Sequence, residues 1–169
     1  SRKAFVTFDC TDLEILRLLQ QDGRLKNNAL AAQVSLSPSA CLQRVRRLEG
    51  SGVIAGYRAI VDATAIGARF EAWIDLTLAE HRPDMLTRFA SLLREAPTIV
   101  AAYQLAGPHD FLVHMVGGTI ECWNAARARF IDEGIAIASA RLSVVIDPIK
   151  RSGPIASPRT PPRLVRSVA

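Results

Sequence analysis

The sequence predicts an α+β fold in two parts, a helix-turn-helix unit in front and a ferredoxin-like βαββαβ unit behind. Three observations support this. Three short helical stretches, each with a cap or a stop signal, crowd into roughly 45 residues from Asp9 onward. From Phe70 the pattern changes to strand, helix, two strands, helix, strand, the order of the split βαβ unit. Charge divides similarly: residues 1–62 hold nine Lys/Arg against six Asp/Glu, residues 63–149 seven against ten, and residues 150–169 five against none. A basic front, an acidic middle and a basic end imply distinct functional parts, with an anionic partner sought at the front.

Composition narrows the class. With 169 residues, 49% of them hydrophobic and 22% charged, the chain has globular composition and room for one ordinary domain or two small ones. No uncharged apolar run reaches membrane-spanning length. The basic N-terminus has no long apolar core before Asp9, so no signal peptide is expected. Cys10, Cys41 and Cys122 lie far apart and form no C-x-x-C, which fits a reduced cytoplasmic compartment without disulfides. His81, His109 and His114 share no metal-ligand spacing, so no metal is expected.

In the front, Asp9 is the expected N-cap of a helix through Ile15, Leu16 and Leu19, with Asp12 in its first turn and Gly23 as its stop. A short second helix follows, capped by Asn27 or Asn28, with Leu30, Ala31 and Val34 inward. Its small residues, Ala29, Ala31 and Ala32, allow another helix to come close. The third helix has Ser37 as N-cap and Pro38 at its first position, where a fixed φ and a missing N–H do no harm. Cys41, Val45 and Leu48 step by four and three and form its buried stripe; Gly50 and Gly52 end it. "VIAGYRAIVD" then reads as a strand or small ribbon.

In the rear, Phe70, Ala72, Ile74 and Leu76 alternate with Glu71, Trp73, Asp75 and Thr77, as in a half-buried strand. Pro83 opens a helix carrying Met85, Leu86, Phe89, Leu92 and Leu93, and Pro97 closes it. Two apolar strands flank "GPHD", a hairpin with a four-residue loop. A second helix has Cys122, Ala125, Ala126 and Phe130 on its expected inner side, and a last strand follows. The expected domains are residues 9–62 (with a linking β-ribbon), residues 68–150, and a disordered basic tail, 151–169.

The third helix suggests chemistry. With Cys41, Val45 and Leu48 inward, its outer stripe is expected to hold Ser39, Ala40, Gln43, Arg44 and Arg47, with Arg46 at the rim. Gln43 suits adenine, arginine suits guanine or phosphate, and Ser37 and Ser39 suit phosphate. Arg58, just beyond, adds another cation. A short helix and tight turn in front make this arrangement that of a DNA reader.

The stretch "FDCTDLEILRLLQQDGRLKNNALAAQVSLSPSACLQRVRRLEGSGVIAGYRAIVDATAIG" closely resembles the Lrp/AsnC (feast/famine) family of bacterial and archaeal transcriptional regulators. The matching features are the D-x-x-D-x-x-I-L opening, "DGR", "LSPS", "RVRRLE" and "GVIAGYRA". With the βαββαβ remainder, the resemblance covers about residues 9–150. It implies a winged helix-turn-helix on double-stranded operator DNA and an effector and oligomerisation domain that pairs through its sheet into dimers, then tetramers or octamers. It also implies an amino-acid effector between subunits, near the G-x-x-D hairpin, here Gly107 to Asp110. Gly107 would allow close backbone approach and Asp110 would meet an α-amino group, with Tyr103, Leu105 and His109 flanking. Where the family usually carries Gly in the helix-turn-helix turn, this chain has Ser35, which must accept a left-handed conformation at a cost of roughly 1 kcal/mol.

Two rival readings are weaker. A structural or oligomerisation protein whose basic face binds RNA or membrane would need recognition aromatics on that face or a basic amphipathic helix rich in Trp or Phe, and the sequence has neither. A small-molecule-binding or enzymatic ferredoxin-like protein without a specific operator finds no G-x-G-x-x-G, P-loop or nucleophile motif, and no catalytic residue or cofactor is expected.

Overall fold

A computed structural model of the chain describes residues 8–151 and 153–156. The chain forms two compact units, Ser1–Ile60 with Lys150–Ala169, and Val61–Ile149. Most of the expected disordered tail lies outside the described residues; Arg151 and residues 153–156 have no regular secondary structure.

The first unit holds α1 (Cys10–Gln21), α2 (Asn27–Gln33) and α3 (Pro38–Gly50). Asp9 caps α1 in a full capping box: its carboxylate accepts from Asp12 N at 2.8 Å, and Asp12 accepts in return from Asp9 N at 3.1 Å. The core is Ile15, Leu18, Leu30, Ala31, Cys41 and Leu48, with Val34, Val45 and Ile54 packed against it. Each large apolar side chain fully buried there stabilises the unit by about 1.5–3 kcal/mol.

Neither Asn27 nor Asn28 caps α2. Lys26 occupies the cap position without a side-chain bond, and Asn27 is the first helical residue. Its amide instead donates to the Pro38 carbonyl at 2.8 Å, joining the start of α2 to the start of α3. The ribbon expected after α3 is not a strand: residues 53–62 have no regular structure. A strand needs a neighbour to complete its ladder, and this segment has none among the described residues.

Between α2 and α3 the backbone turns as expected at Ser35, with φ at 54°. Leu36 N bonds to Ala31 O at 2.9 Å and Ser35 N to Ala32 O at 3.4 Å, the paired bonds of a Schellman C-terminus. The same pair ends α3, where Gly52 takes the left-handed position at φ 76°. Ser35 therefore fills a glycine position with a side chain.

The second unit holds β1 (Glu71–Leu78), α4 (Pro83–Glu95), β2 (Ile99–Gln104), β3 (Phe111–Val116), α5 (Ile120–Asp132) and β4 (Ile137–Val144). The sheet order is β2-β3-β1-β4, with every pairing antiparallel. β1 buries every second residue, Ala72, Ile74, Leu76 and Leu78, as its alternation requires. These meet Phe111, Val113 and Met115 of β3 and the inner sides of α4 and α5. Phe89 lies at the centre, edge-to-face with Phe111 and Phe130 at centroid distances of 5.0 and 5.1 Å. On α5 the inner stripe is Trp123, Ala126 and Phe130; Cys122 and Ala125 are exposed, contrary to expectation. The bulky Trp123, one residue after Cys122, takes the inner position and rotates the helix accordingly. No helix among the described residues is long and apolar enough to cross a membrane.

Ser35→Gly is expected to stabilise the helical unit by up to about 1 kcal/mol, since it removes the side-chain penalty of a left-handed residue. Both tryptophans, Trp73 and Trp123, lie in the second unit. In urea melts, the part of the helical circular dichroism transition that is not shared with tryptophan fluorescence should therefore shift upward, while the fluorescence transition stays put.

Candidate functional site

The helix-turn-helix is held together by charge as well as by its core. Asp12 is 1% exposed and lies where α1 meets α3. Its Oδ1 accepts from Arg44 Nη1 at 2.8 Å, and its Oδ2 accepts from Arg47 Nη2 and from Asp9 N. Arg44 Nη1 also donates to Asp9 Oδ2 at 2.6 Å. Bonds to both carboxylates raise the Arg44 pKa above its ordinary value. At Asp9, burial pushes the pKa up, but the Asp12 N–H and the Arg44 guanidinium outweigh it and hold the carboxyl below its usual 3.8.

This clamp alters the expected face of α3. Arg44 is turned toward α1, not outward, and Ala40 is half-buried. Arg47 is about half exposed but also engaged by Asp12. The outward row is Ser39, Leu42, Gln43 and Arg46, spaced by three, one and three. Arg46 thus belongs to the middle of the exposed face, not its rim. Leu42, 37% exposed, was missed because an apolar residue on a basic helix reads as core. Ser37 Oγ accepts from Ala40 N as the N-cap and lies 3.2 Å from Ser39 Oγ. Arg58 is exposed on the irregular segment after α3, one residue beyond Tyr57, whose hydroxyl donates to Glu49 at 3.0 Å.

In the second unit, β2 and β3 bring the predicted hairpin residues together. Leu105 N bonds to Asp110 O at 2.8 Å and closes the turn, and Asp110 N bonds to Leu76 O at 2.8 Å. Gly107 is exposed at the tip, and Tyr103 and Leu105 are exposed nearby. Asp110 already has partners: Oδ2 accepts from Leu78 N at 2.7 Å, and Oδ1 faces His81 Nε2 at 2.8 Å. His109 Nδ1 lies 3.3 Å from Thr77 Oγ1. Sequence reasoning missed Thr77 and His81, which register alone brings to the hairpin: Leu76 pairs with Phe111, so the end of β1 runs alongside it.

The sheet has a second face, opposite the helices, carrying Trp73, Asp75, Tyr103, Leu112, His114 and Val116. Trp73 and His114 stack in parallel at 4.2 Å, and His114 Nε2 bonds to Glu71 Oε1 at 2.9 Å.

The Asp9 geometry sets an acid limit. Its folded pKa lies below the unfolded value, so its contribution is fully present above the ordinary aspartate range and is lost as pH falls through the lower folded value. Asn caps a helix as well as Asp does. Between about pH 6 and about pH 2, the urea midpoint of the helical signal should fall less in Asp9→Asn than in the parent chain. Equal slopes would show that Asp9 is not coupled to folding.

Comparison with known proteins agrees with this geometry. Residues 8–55 match the model for winged helix-turn-helix DNA-binding domains, and residues 71–155 that for the Lrp/AsnC ligand binding domain. The chain is 40% identical over 111 residues to the leucine-responsive regulatory protein of Rhizobium meliloti, covering 66% of this chain and 71% of that protein. It is 30% identical over 147 residues to the HTH-type transcriptional regulator AldR of Mycolicibacterium smegmatis, covering 87% and 86%. Among solved structures, a transcriptional regulator of Neisseria meningitidis in complex with L-Met superposes with a TM-score of 0.80 at 28% identity, covering 89% of this chain and 97% of that one. Both the helix-turn-helix unit and the hairpin domain thus have their counterparts in one group of proteins, and the chain belongs to the Lrp/AsnC family of transcriptional regulators.

Proposed function

We propose that the chain binds operator DNA through the outward row of α3 and responds to an amino acid held beside the 107–110 hairpin. The observation that carries the first part is the Asp12 clamp. It takes Arg44 out of contention for the groove and leaves Ser39, Leu42, Gln43 and Arg46 facing out together. This row has the right chemistry for a major groove: Gln43 for adenine, Arg46 for guanine, Leu42 for a thymine methyl and Ser39 for phosphate. Arg47 and Arg58 serve the phosphates at its edges, and Ser37 presents the helix N-terminus.

For the second part, the L-Met complex of the Neisseria protein and the leucine-responsive name of the Rhizobium relative support an amino-acid effector. Its ammonium group would take the place of His81 at Asp110 Oδ1 while Leu78 N keeps Oδ2. Tyr103, Leu105 and His109 flank this position, and Gly107 admits a close backbone. Pairing through the open sheet face of Trp73, Tyr103, Leu112 and Val116 would form the dimer, from which tetramers or octamers are built. The chain works by binding and not by catalysis, in the prokaryotic cytoplasm, where free thiols such as Cys10, Cys41 and Cys122 persist.

Two experiments test this. In fluorescence anisotropy with operator duplex, Arg46→Ala and Gln43→Ala are expected to cost about 1–3 kcal/mol each at the cognate sequence and to relax preference. Arg44→Ala should mainly lower the melting temperature of the helical unit. If Arg44→Ala relaxed sequence preference while Arg46→Ala did not, the assignment of the reading row would be wrong. In a thermal-shift screen of the common amino acids, at least one should stabilise the chain and lose that effect in Asp110→Ala. An amino acid that stabilised both proteins equally would remove Asp110 from the site.

A further inference from the structure

One contact in the helical unit spans nearly the whole sequence. Gln20, exposed near the end of α1, uses both ends of its side-chain amide on a single residue, Ile155. Ile155 N donates to Gln20 Oε1 at 2.6 Å, and Gln20 Nε2 donates to Ile155 O at 3.4 Å. An amide that gives one donor and takes one acceptor on the same backbone unit does what the edge of a neighbouring strand does. The Ile155 side chain itself stays 81% exposed, so the contact recognises main chain, not side chain. Ile155 and Ala156 border a groove of about 680 Å³ walled by Leu13, Leu16 and Leu19 of α1 and by Val53, Tyr57 and Ile60 of the segment after α3.

We infer that Gln20 is a backbone clip for the chain's own residues 153–156, and that the clip fixes the starting point of the basic C-terminal stretch on the DNA-reading unit. Arg159, Arg163 and Arg166 follow Ile155 by four, eight and eleven positions, with no acidic residue among them. A chain spans at most about 3.5 Å per residue, so their distances from the clip are capped at about 14 Å for the first and about 39 Å for the last. Three arginines without an acidic neighbour suit phosphates flanking the site. Untethered, the same arginines would search a much larger volume, and their effective concentration at the flanking phosphates would fall. The DNA half of this inference rests on the reading of α3 given above; the clip does not.

The test has two arms on the full chain. In the first, amide exchange at Ile155 is followed by NMR; it should be slow in the parent and at least about tenfold faster in Gln20→Leu, which keeps the bulk but loses both bonds. Unchanged exchange overturns the clip. In the second, duplex affinity is measured against salt. Replacing Arg159, Arg163 and Arg166 together with Ser should flatten the slope of log affinity on log salt by up to about 0.9 per arginine. Gln20→Leu, with every arginine present, should show at least about half of that flattening. A parent-like slope in Gln20→Leu overturns the placement of the tail. A protected Ile155 amide in a chain that binds no duplex supports the clip and overturns the DNA reading instead.

Discussion

The carboxylate of Asp12 ties the first helix to the third, and the orientation of α3 depends on it. At 1% exposure this charge has lost nearly all its hydration. A buried charge is tolerated only when its lone pairs are filled by well-placed donors. Here Arg44 takes one oxygen, and Arg47 and the Asp9 N–H take the other. The arrangement also polices rotation. With Cys41 and Leu48 in the core and two arginines held on the α1 side, α3 has one way to sit, and Ser39, Leu42, Gln43 and Arg46 must face out. Apolar packing alone would leave the helix freer to roll, because hydrophobic burial has no direction.

Much of the helical unit was legible because its signals are local. Asp9 as cap and Pro38 at the first position of α3 follow from spacing and backbone sterics, and the left-handed Ser35 from the family resemblance, which puts Gly at that turn. The face of α3 was misjudged for a physical reason. At about 100° per residue, Arg44 lies only about 60° from Cys41 on the helix surface, at the flank of the core and not opposite it. A charge in that flank needs a partner, and Asp12 on another helix supplies it. Such pairing crosses more than thirty positions of sequence, with nothing local to announce it.

The second unit shows the same division. Alternation in β1 and the order of elements were readable, and the sheet order β2-β3-β1-β4 follows the expected topology. On α5, the side expected from the sequence included Cys122 and Ala125 with Ala126 and Phe130, but the volume of Trp123 decided which side turns in. At the hairpin, Gly107 and Asp110 were visible as a motif, while the partners of Asp110 were not. His81 and the Leu78 amide reach it because β1 and β3 pair in a particular register, with an irregularity at Thr77 and Leu78 on the other edge of β1. Registers are settled by two strands at once, so a single strand's sequence carries only half of the information.

The position of β1 has a consequence for how the protein is made. It is the first strand of its sheet to leave the ribosome, yet it ends in the middle, between β3 and β4. Ala72 waits for Val144, and Leu78 for Ile137, before its second edge is covered. Until then a strand that is apolar on one face offers unpaired backbone groups to any neighbouring nascent chain. The last strand is largely exposed and contributes little to the core. Its role at birth is larger than its burial suggests, because its arrival covers the second edge of the strand that emerged first.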